Sequence, residues 1–454
     1  MRNPYVTGPY VSGRRHYGRH GLLDSLLHGE ANAYWVIGNR RIGKTSLLRQ
    51  LEALALAGET GERRILPIFW DMQGCNTFAS LGRYLADALQ ERLDQVLALG
   101  LPKEIIQDEN LLTLLPALRR AVRNAGRELL LLCDETEVLI NLASTEPELA
   151  QRFHAELTRG AGLRVVAVST RRIYQLHAVC ASWPTSSFLA GFDMSQTLGR
   201  LDPESALALV TQTQANELVR ADPAVIETIC DLTNYHPYLM QLLCSRVFQP
   251  AGSLRPVETA DLAVDSLLGG FINNDFNLLS LAEQRLVWAV HDQGQVSKAA
   301  LAEALDMDAS EVQARLQEIE PLGYLRRKDD NLLVGNQFLE KWLSTEPRRP
   351  AFVGTAAGQR GQASSAQGPA AVVTAGADAK RERAAAKPAT PPLSPAVRDA
   401  AALIEQLNVK RARLVDLEVI RARNLLDTSP TVLAEIRQAE QEIQRLLSTL
   451  GVTA

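Results

Sequence analysis

The chain has 454 residues, of which 46% are apolar, so it is long enough for about two to four domains with sizeable cores. Its formal net charge of -4 at pH 7 supplies no overall positive field, which argues mildly against bulk electrostatic binding of nucleic acid or anionic lipid. The five cysteines form no C-x-x-C pair, the start MRNPYVTGPY has no apolar signal segment, and no apolar run approaches about 18 residues. These features favour a soluble protein of the cytoplasm with no membrane association.

Residues 33 to 199 alternate short apolar runs with longer segments of helical periodicity, which predicts an α/β domain with a mostly parallel sheet. Because the apolar runs are continuous, each strand should be buried on both faces. Four strands and a short fifth one are expected at AYWVIG (33–38), RRILPIFWDMQG (63–74), ELLLLCD (128–134), LRVVAVST (163–170) and residues 196–198.

Helical periodicity without strand signals continues from Pro203 to about Gly270, which predicts a helical lid subdomain. The next segments are typical of a winged helix-turn-helix: helices in SLAEQRLVWAV and SKAALAEAL, a third helix from Ser310, and a β-hairpin in GYLRRKDDNLLVGNQF. We therefore expect a first domain at 1–200, the lid at 201–270 and the winged helix at 271–345.

The remaining residues change character twice. Residues 346–395 are rich in Ala, Gly, Pro, Gln and Ser, and such a segment buries too little apolar surface to offset its ordering entropy, so we expect a disordered linker. In residues 396–454 apolar side chains recur at helical spacing on two segments separated by DTSP, which predicts an antiparallel α-helical hairpin. Two short helices bury little alone, so this hairpin should pair with a partner or with a second copy.

GNRRIGKTSLL (38–48) contains the full pattern G-x-x-x-x-G-K-[ST] between a predicted strand and a predicted helix, the context that the phosphate-binding P-loop requires. In this interpretation backbone N–H groups wrap the phosphates, Lys44 bridges the terminal phosphates and the Thr45 hydroxyl ligates Mg²⁺. The alternative is a chance match in a Gly-Lys turn. The predicted nucleotide-binding residues of the loop are Gly38, Asn39, Arg40, Arg41, Ile42, Gly43, Lys44, Thr45 and Ser46.

LLLLCDE (129–135) supplies the second half of an ATPase site. It would bring Asp134 to the metal and Glu135 to a place where it can orient and deprotonate a water. Adjacent acids at a strand end also arise by chance, but the pairing with a P-loop favours the functional interpretation. Glu137 is expected to cap or to pair at the surface. A GTPase is disfavoured because no N-K-x-D sequence occurs, and a kinase is disfavoured because Glu135 suits water activation better than transfer to a substrate.

Two further segments have functional and purely structural interpretations. The fourth strand ends in a polar tip that could sense a γ-phosphate while an arginine such as Arg171 neutralises its charge; an ordinary charged strand end is the alternative. The residues of this tip are Ser169, Thr170, Arg171 and Arg172. His236 and Pro237 begin a helix, where a proline in the first turn is structurally sufficient.

These motifs, together with NPY, YGR (17–19), STRR, LGRL and HPYLMQLL, resemble the STAND branch of AAA+-type, archaeal-ATPase-like proteins over residues 1–345. The resemblance implies a P-loop NTPase of the ASCE type with sheet order 5-1-4-3-2, adenine near the segment before the first strand, and a winged helix packed on the nucleotide domain. It also implies that Asp134 holds Mg²⁺, that Glu135 is the catalytic base, that Arg171 follows the sensor strand and that His236 and Pro237 face the nucleotide. The chain departs from the family where Asn234 and Tyr235 stand in place of a common Gly-Gly pair.

The C-terminal segment resembles the small helical-hairpin adaptors of bacterial conflict and effector-associated proteins. This resemblance implies homotypic contact or recruitment of a separate effector or adaptor through residues 396–454. We therefore predict a signalling switch that binds ATP and Mg²⁺, hydrolyses ATP slowly, forms homo-oligomers on activation and recruits an effector, with a role in bacterial defence.

The alternative is a DNA-binding ATPase of the initiator or loader class that uses the winged helix on duplex DNA. Its third helix carries Glu311, Glu318 and Glu320 against only Arg315, and such a helix would repel phosphates. The basic residues of the predicted wing keep a weak contact with nucleic acid open: Arg326, Arg327 and Lys328.

Overall fold

Four parallel strands in the order β1-β4-β3-β2 form the central sheet. The strands lie where the apolar runs predict them. The structure is a computed structural model, and it describes residues 2–8, 10–58, 64–160, 162–180, 183, 188–194, 196–345, 437, 438, 441, 442 and 445. In chain order the strands are β1 (Ala33–Ile37), β2 (Ile65–Asp71), β3 (Glu128–Asp134) and β4 (Leu163–Ser169).

The predicted fifth strand takes a reduced form. Ile37 pairs with Thr197 as an isolated parallel bridge, and the Leu198 N–H donates to the Ile37 carbonyl at 2.7 Å. This segment therefore extends the sheet on the outer edge of β1 without becoming a regular strand. Its position matches the expected order 5-1-4-3-2.

Both faces of the sheet carry apolar side chains that are buried in a core, which explains the continuous apolar runs. Alternate residues of β1 point in opposite directions, so Tyr34 and Val36 join one core while Trp35 and Ile37 join the other. The first core is closed by α1 (His20–His28) and α2 (Lys44–Ala57). The second is closed by α3 (Phe78–Gln90), α4 (Leu93–Leu97), α5 (Lys103–Ile106), α6 (Leu111–Asn124), α7 (Val138–Thr145), α8 (Pro147–Thr158) and α9 (Gln175–Val179).

The lid begins with α10 (Pro203–Thr211), α11 (Pro223–Thr233) and α12 (Pro237–Val247). Each starts with a proline after a residue whose side chain accepts a backbone N–H bond, the favoured helix start. A short hairpin of β5 (Phe248–Gln249) and β6 (Ser253–Leu254) follows, so the expectation of a lid without strands is wrong: these strands are too short to give a periodic signal. Helix α13 (Ser266–Phe276) completes the layer.

The N-terminal segment packs on the lid. Tyr5 and Tyr17 are buried in the lid core, and the Tyr5 hydroxyl donates to the Val210 carbonyl at 2.5 Å. The first residues of the chain therefore tie the lid to the phosphate-loop domain.

Residues 281–345 form a further unit, here called the helix–hairpin unit. The three predicted helices and the predicted hairpin follow in the expected order, whereas a short first strand and a last helix were not predicted. The elements of this unit are α14 (Leu281–Gln293), β7 (Val296–Ser297), α15 (Lys298–Leu305), α16 (Ala309–Ile319), β8 (Leu325–Lys328), β9 (Asn331–Val334) and α17 (Gln337–Thr345). The strands pair in the order β7-β9-β8. Phe276 of α13 is buried in the core of this unit while Leu268 is buried in the lid core, so α13 links the two.

The predicted linker lies outside the described residues, and so does nearly all of the predicted C-terminal hairpin. The described residues of this hairpin are helical: Arg437, Gln438, Gln441, Glu442 and Arg445. Across the described part of the chain, no helix combines the length and the apolar character that a membrane span requires.

Candidate functional site

The loop between β1 and α2 has a shape that only glycine permits at two points. The Gly38 N–H donates to the Ser169 carbonyl at 3.0 Å, which holds the loop against the end of β4. A Cβ atom at Gly38 would lie 2.8 Å from Ile42 Cγ2, and Gly43 has a φ of +105°. The two glycines of the motif are therefore required by sterics.

Arg41 also has a left-handed backbone, with a φ of 62°, which costs a side-chain-bearing residue about 1–2 kcal/mol. Its guanidinium donates to the Gly8 carbonyl at 2.8 Å and lies 4.6 Å from the centre of the Phe271 ring. The loop is thus held on one side by the N-terminal segment and on the other by α13.

Lys44 and Thr45 open α2, where helix N–H groups point toward the loop and favour an anion. The Lys44 ammonium donates to the carbonyls of Gly38 at 3.0 Å and Asn39 at 3.2 Å, so it lies across the loop. The Thr45 hydroxyl donates to the Asp134 carboxylate at 2.7 Å. The structure thereby brings the two sequence motifs together, although 89 residues separate them.

The two predicted acids, Asp134 and Glu135, are consecutive residues at the carboxyl end of β3. Asp134 is buried, and this burial raises its pKa, while the Thr45 hydrogen bond and the Lys44 charge act in the opposite direction. Glu135 has a φ of 53°, its residue surface is exposed, and its carboxyl is nevertheless partly desolvated by neighbouring atoms. This desolvation, followed by repulsion from Glu137 and Asp134, raises the pKa of Glu135 to about 7. A carboxyl with such a pKa is suited to accept a proton near neutral pH.

Glu137 has a more specific position than the surface cap expected for it. Its Oε1 accepts the Thr170 N–H at 2.5 Å, whereas its Oε2 is buried without a hydrogen-bond partner. It therefore joins the loop after β3 to the end of β4, beside Glu135.

The residues present fit a bound Mg²⁺. Mg²⁺ in nucleotide sites takes one or two side-chain oxygens from the protein and the remainder from phosphates and water. The Thr45 hydroxyl and the Asp134 carboxylate, 2.7 Å apart, are two such oxygens at the start of α2. Both predicted metal ligands are thus on one side of the loop.

The geometry gives no support to the predicted catalytic role of Arg171. Its guanidinium forms ion pairs with Glu283 of α14 and Glu318 of α16, both at 2.8 Å. Glu283 is itself buried and caps its helix by accepting the Ser280 N–H. Arg171 therefore connects the end of β4 with the helix–hairpin unit, and its charge is already compensated there.

His236 takes the structural role that the sequence allows and also lies beside the phosphate loop. Its Nδ1 accepts the Leu239 N–H at 3.4 Å, so it caps α12, and Pro237 occupies the first helical position. The imidazole also lines a cavity that it shares with Asn39, Arg40 and Arg41 of the loop. Burial lowers the pKa of His236 to about 4, so the ring facing this cavity is neutral at pH 7.

One residue at the loop was not predicted. Asp275 of α13 accepts the Arg40 backbone N–H at 2.6 Å, although 235 residues separate the two in the chain. Its only signal in the sequence is its place on the buried stripe of α13, next to Phe276 and seven residues from Leu268. An acid on an apolar stripe marks a buried charge without identifying its partner.

The raised pKa of Glu135 leads to a prediction about pH. If Glu135 accepts the proton of water, the reactive form is the deprotonated one, which is present above a pH of about 7 and lost below it. The kcat/KM for ATP hydrolysis at saturating Mg²⁺ should therefore fall about tenfold per pH unit below this value, because this ratio reports the free enzyme. A profile that is flat from pH 5.5 to 8 would contradict the assignment.

No protein-family model and no curated protein matches the sequence. Solved structures do resemble it: the Walker-type ATPase PABY2304 of Pyrococcus abyssi aligns with 75% of this chain and 99% of its own, at 15% identity and a TM-score of 0.54. The Aeropyrum pernix ORC2 protein aligns with 71% of this chain and 90% of its own, at 14% identity and a TM-score of 0.45. The Thermotoga maritima RuvB branch migration motor aligns with 73% of this chain and 96% of its own, at 15% identity and a TM-score of 0.32. The first of these likenesses, with the parallel sheet and its loop, shows that the chain has a P-loop NTPase fold.

Proposed function

We propose that this chain is an AAA+-type ATPase that binds Mg²⁺ and ATP, hydrolyses ATP and acts as a STAND-like signalling switch. One contact carries the proposal: the hydrogen bond between Thr45 and Asp134, which places the phosphate loop beside the two acids of β3. A loop that held phosphate for another purpose would not need an ionisable Glu135 at the same strand end.

In the proposed reaction, Lys44 and the loop N–H groups bind the phosphates of ATP. Thr45 and Asp134 would hold Mg²⁺, which when bound neutralises charge on the phosphates. Glu135 takes a proton from water as the water oxygen bonds to the γ-phosphorus; the bond from this phosphorus to the bridging oxygen breaks, and ADP leaves with the electron pair. The products are ADP and inorganic phosphate.

The switch is supported by the way the helix–hairpin unit, which we propose to be a winged helix, contacts its neighbours. Besides the ion pairs of Arg171, Arg326 forms an ion pair with Asp231 of the lid at 2.6 Å. A Cβ atom at Gly199 would lie 2.6 Å from the Pro321 carbonyl, so the unit approaches the edge of the sheet closely. A nucleotide that favoured separation would shift the populations of docked and separated forms.

A second candidate function is the DNA-binding ATPase of the initiator or loader class. The basic run at the end of β8 favours it, since Arg326, Arg327 and Lys328 are consecutive and the last two are exposed. However, Arg326 is paired with Asp231 and Arg327 with Glu320, so two of the three charges are compensated within the chain. Duplex DNA titrated into the protein at about 150 mM salt separates the candidates, because the switch predicts no binding and the initiator predicts binding that weakens steeply with salt.

Removal of residues 396–454 tests the other half of the proposal. We expect the shortened chain to hydrolyse ATP at the rate of the full chain, since the site lies within residues 38–275. It should lose self-association on ATP addition and the capture of a partner, because the C-terminal hairpin is proposed to provide that contact. Phosphate release measures hydrolysis, light scattering with ATP or ADP measures self-association, and a pull-down with each chain as bait measures partner capture. Equal self-association and equal partner capture by both chains would reject the adaptor role.

A further inference from the structure

The carboxylate of Asp275 binds an N–H group that belongs to the phosphate loop. Its Oδ2 accepts the Arg40 backbone N–H at 2.6 Å, and its Oδ1 lies 3.7 Å from the Arg40 Nε. The backbone N–H groups of such a loop bind anions, and both a carboxylate and a phosphate group can be that anion. A side chain of α13 thus occupies a position suited to a nucleotide phosphate.

Burial of Asp275 makes the approach of a second anion to this contact unfavourable. Asp275 is only 6% exposed, and its Oδ1 is buried without a hydrogen-bond partner. A buried carboxylate with one unsatisfied oxygen tolerates a second anion poorly. Desolvation raises the pKa of Asp275 to about 6, against the opposing effects of Lys44 and Arg40, so the group is mostly charged at pH 7.

The hydrogen bonds of Lys44 show which part of the loop Asp275 contacts. The Lys44 ammonium donates to the Asn39 carbonyl at 3.2 Å, and this carbonyl belongs to the same peptide group as the Arg40 N–H that Asp275 binds. In the proposed reaction Lys44 binds the terminal phosphates of ATP. Asp275 therefore contacts the part of the loop that lies beside the residue proposed to bind these phosphates.

We propose, resting on the function proposed above, that Asp275 is the residue that discriminates a nucleoside triphosphate from a diphosphate. A diphosphate leaves the Arg40 N–H bonded to Asp275. A γ-phosphate competes for this N–H and repels the carboxylate, and with it α13. Because α13 shares its core with the helix–hairpin unit, the repulsion also weakens the nearby contact between the Asn39 amide and the Leu322 carbonyl, 3.0 Å in length.

The test compares the full-length protein with Asp275→Asn, which keeps an acceptor for the Arg40 N–H but removes the charge. Calorimetry gives the affinities for ADP and for an ATP analogue with nitrogen in the β–γ bridge. We expect the ratio of triphosphate to diphosphate affinity to rise by roughly 5- to 150-fold, the usual span of a coupling between sites. Glu303→Gln, an exposed acid of α15, is the matched control and should leave the ratio unchanged.

Hydrogen exchange on the wild-type protein provides a second measurement that does not depend on the folding of any variant. The triphosphate analogue should accelerate exchange of the α13 amides, whereas ADP should not. An unchanged affinity ratio in Asp275→Asn, or equal protection of α13 by both nucleotides, would overturn the role of Asp275 while leaving the ATPase itself intact. Failure of the wild-type chain to bind either nucleotide would instead reject the proposed function and this role together.

Discussion

Replacing Lys44 with alanine is expected to remove nearly all ATP binding. The ammonium lies across the loop and donates to the carbonyls of Gly38 and Asn39, so it is in place to exchange these bonds for phosphate oxygens. Truncating one partner of a buried, hydrogen-bonded charge pair costs about 2–5 kcal/mol, which corresponds to a loss of affinity between about 30-fold and several thousandfold. Calorimetric titration with ATP and Mg²⁺ measures it.

The control for this experiment is Lys103→Ala, which removes an exposed lysine of α5. This variant has the same change in net charge and should bind ATP like the wild-type chain. Thermal unfolding should show that Lys44→Ala remains folded, because the two lost bonds contribute only about 1 kcal/mol each. ATP binding that survives the loss of Lys44 would show that the loop is not the nucleotide site.

Replacing Glu135 with glutamine should stop hydrolysis without preventing ATP binding. Glutamine keeps the size of the side chain but cannot take the proton of water. Removal of a positioned general base typically lowers the rate by about 10²- to 10⁴-fold. Phosphate release in a single turnover reports the chemical step, and the same calorimetric titration reports binding.

Glu137→Gln is the most informative comparison for Glu135, because Glu137 lies beside it with a buried, unpaired Oε2. The amide oxygen can still accept the Thr170 N–H, so the end of β4 should keep its position and most of the activity should remain. Glu148→Gln, on the exposed side of α8, controls for the loss of an acid. If Glu137→Gln lost as much activity as Glu135→Gln was expected to lose, and Glu135→Gln lost none, the base would be Glu137.

The contacts of Arg171 and Asp275 connect the helix–hairpin unit and α13 with the domain that carries the phosphate loop. Arg171, which follows β4, forms ion pairs with Glu283 and Glu318. Asp275 of α13 accepts a backbone N–H of the loop. Arg171 contacts the helix–hairpin unit directly, whereas Asp275 belongs to α13, which shares Phe276 with the core of that unit. In the proposed switch, a change at the phosphate loop would act on a unit that is held at more than one point, which favours two discrete positions over a gradual displacement.

Local patterns made the phosphate loop predictable. The strand and the helix around residues 38–48 are indicated by apolar runs, and the turn between them is indicated by the glycines that it requires. Asp134 and Glu135 were predictable because they end an apolar strand, and the carboxyl ends of parallel strands meet at one edge of a sheet. The order of helices and strands in residues 281–334 follows from periodicity in the same way.

Contacts between distant residues were not predictable from such patterns. Arg171 follows the sensor strand, as a catalytic arginine would, but nothing near it in the chain indicates that Glu283 and Glu318 compensate its charge. Nor does the spacing around Asp275 reveal its partner at Arg40. The lengths of β5 and β6, two residues each, are too short for any periodicity to show.

The amino-acid sequence by itself determined the strands of the central sheet, the phosphate loop and the strand that carries its acids, because periodicity and steric demands act over a few neighbouring residues. Only the tertiary structure decided which charges meet: Thr45 with Asp134, Arg171 with the helix–hairpin unit, and Asp275 with the loop. The physical reason is that the energy of a buried charge depends on its burial and on its neighbours in space. Those neighbours come from segments that the chain brings together only when it folds.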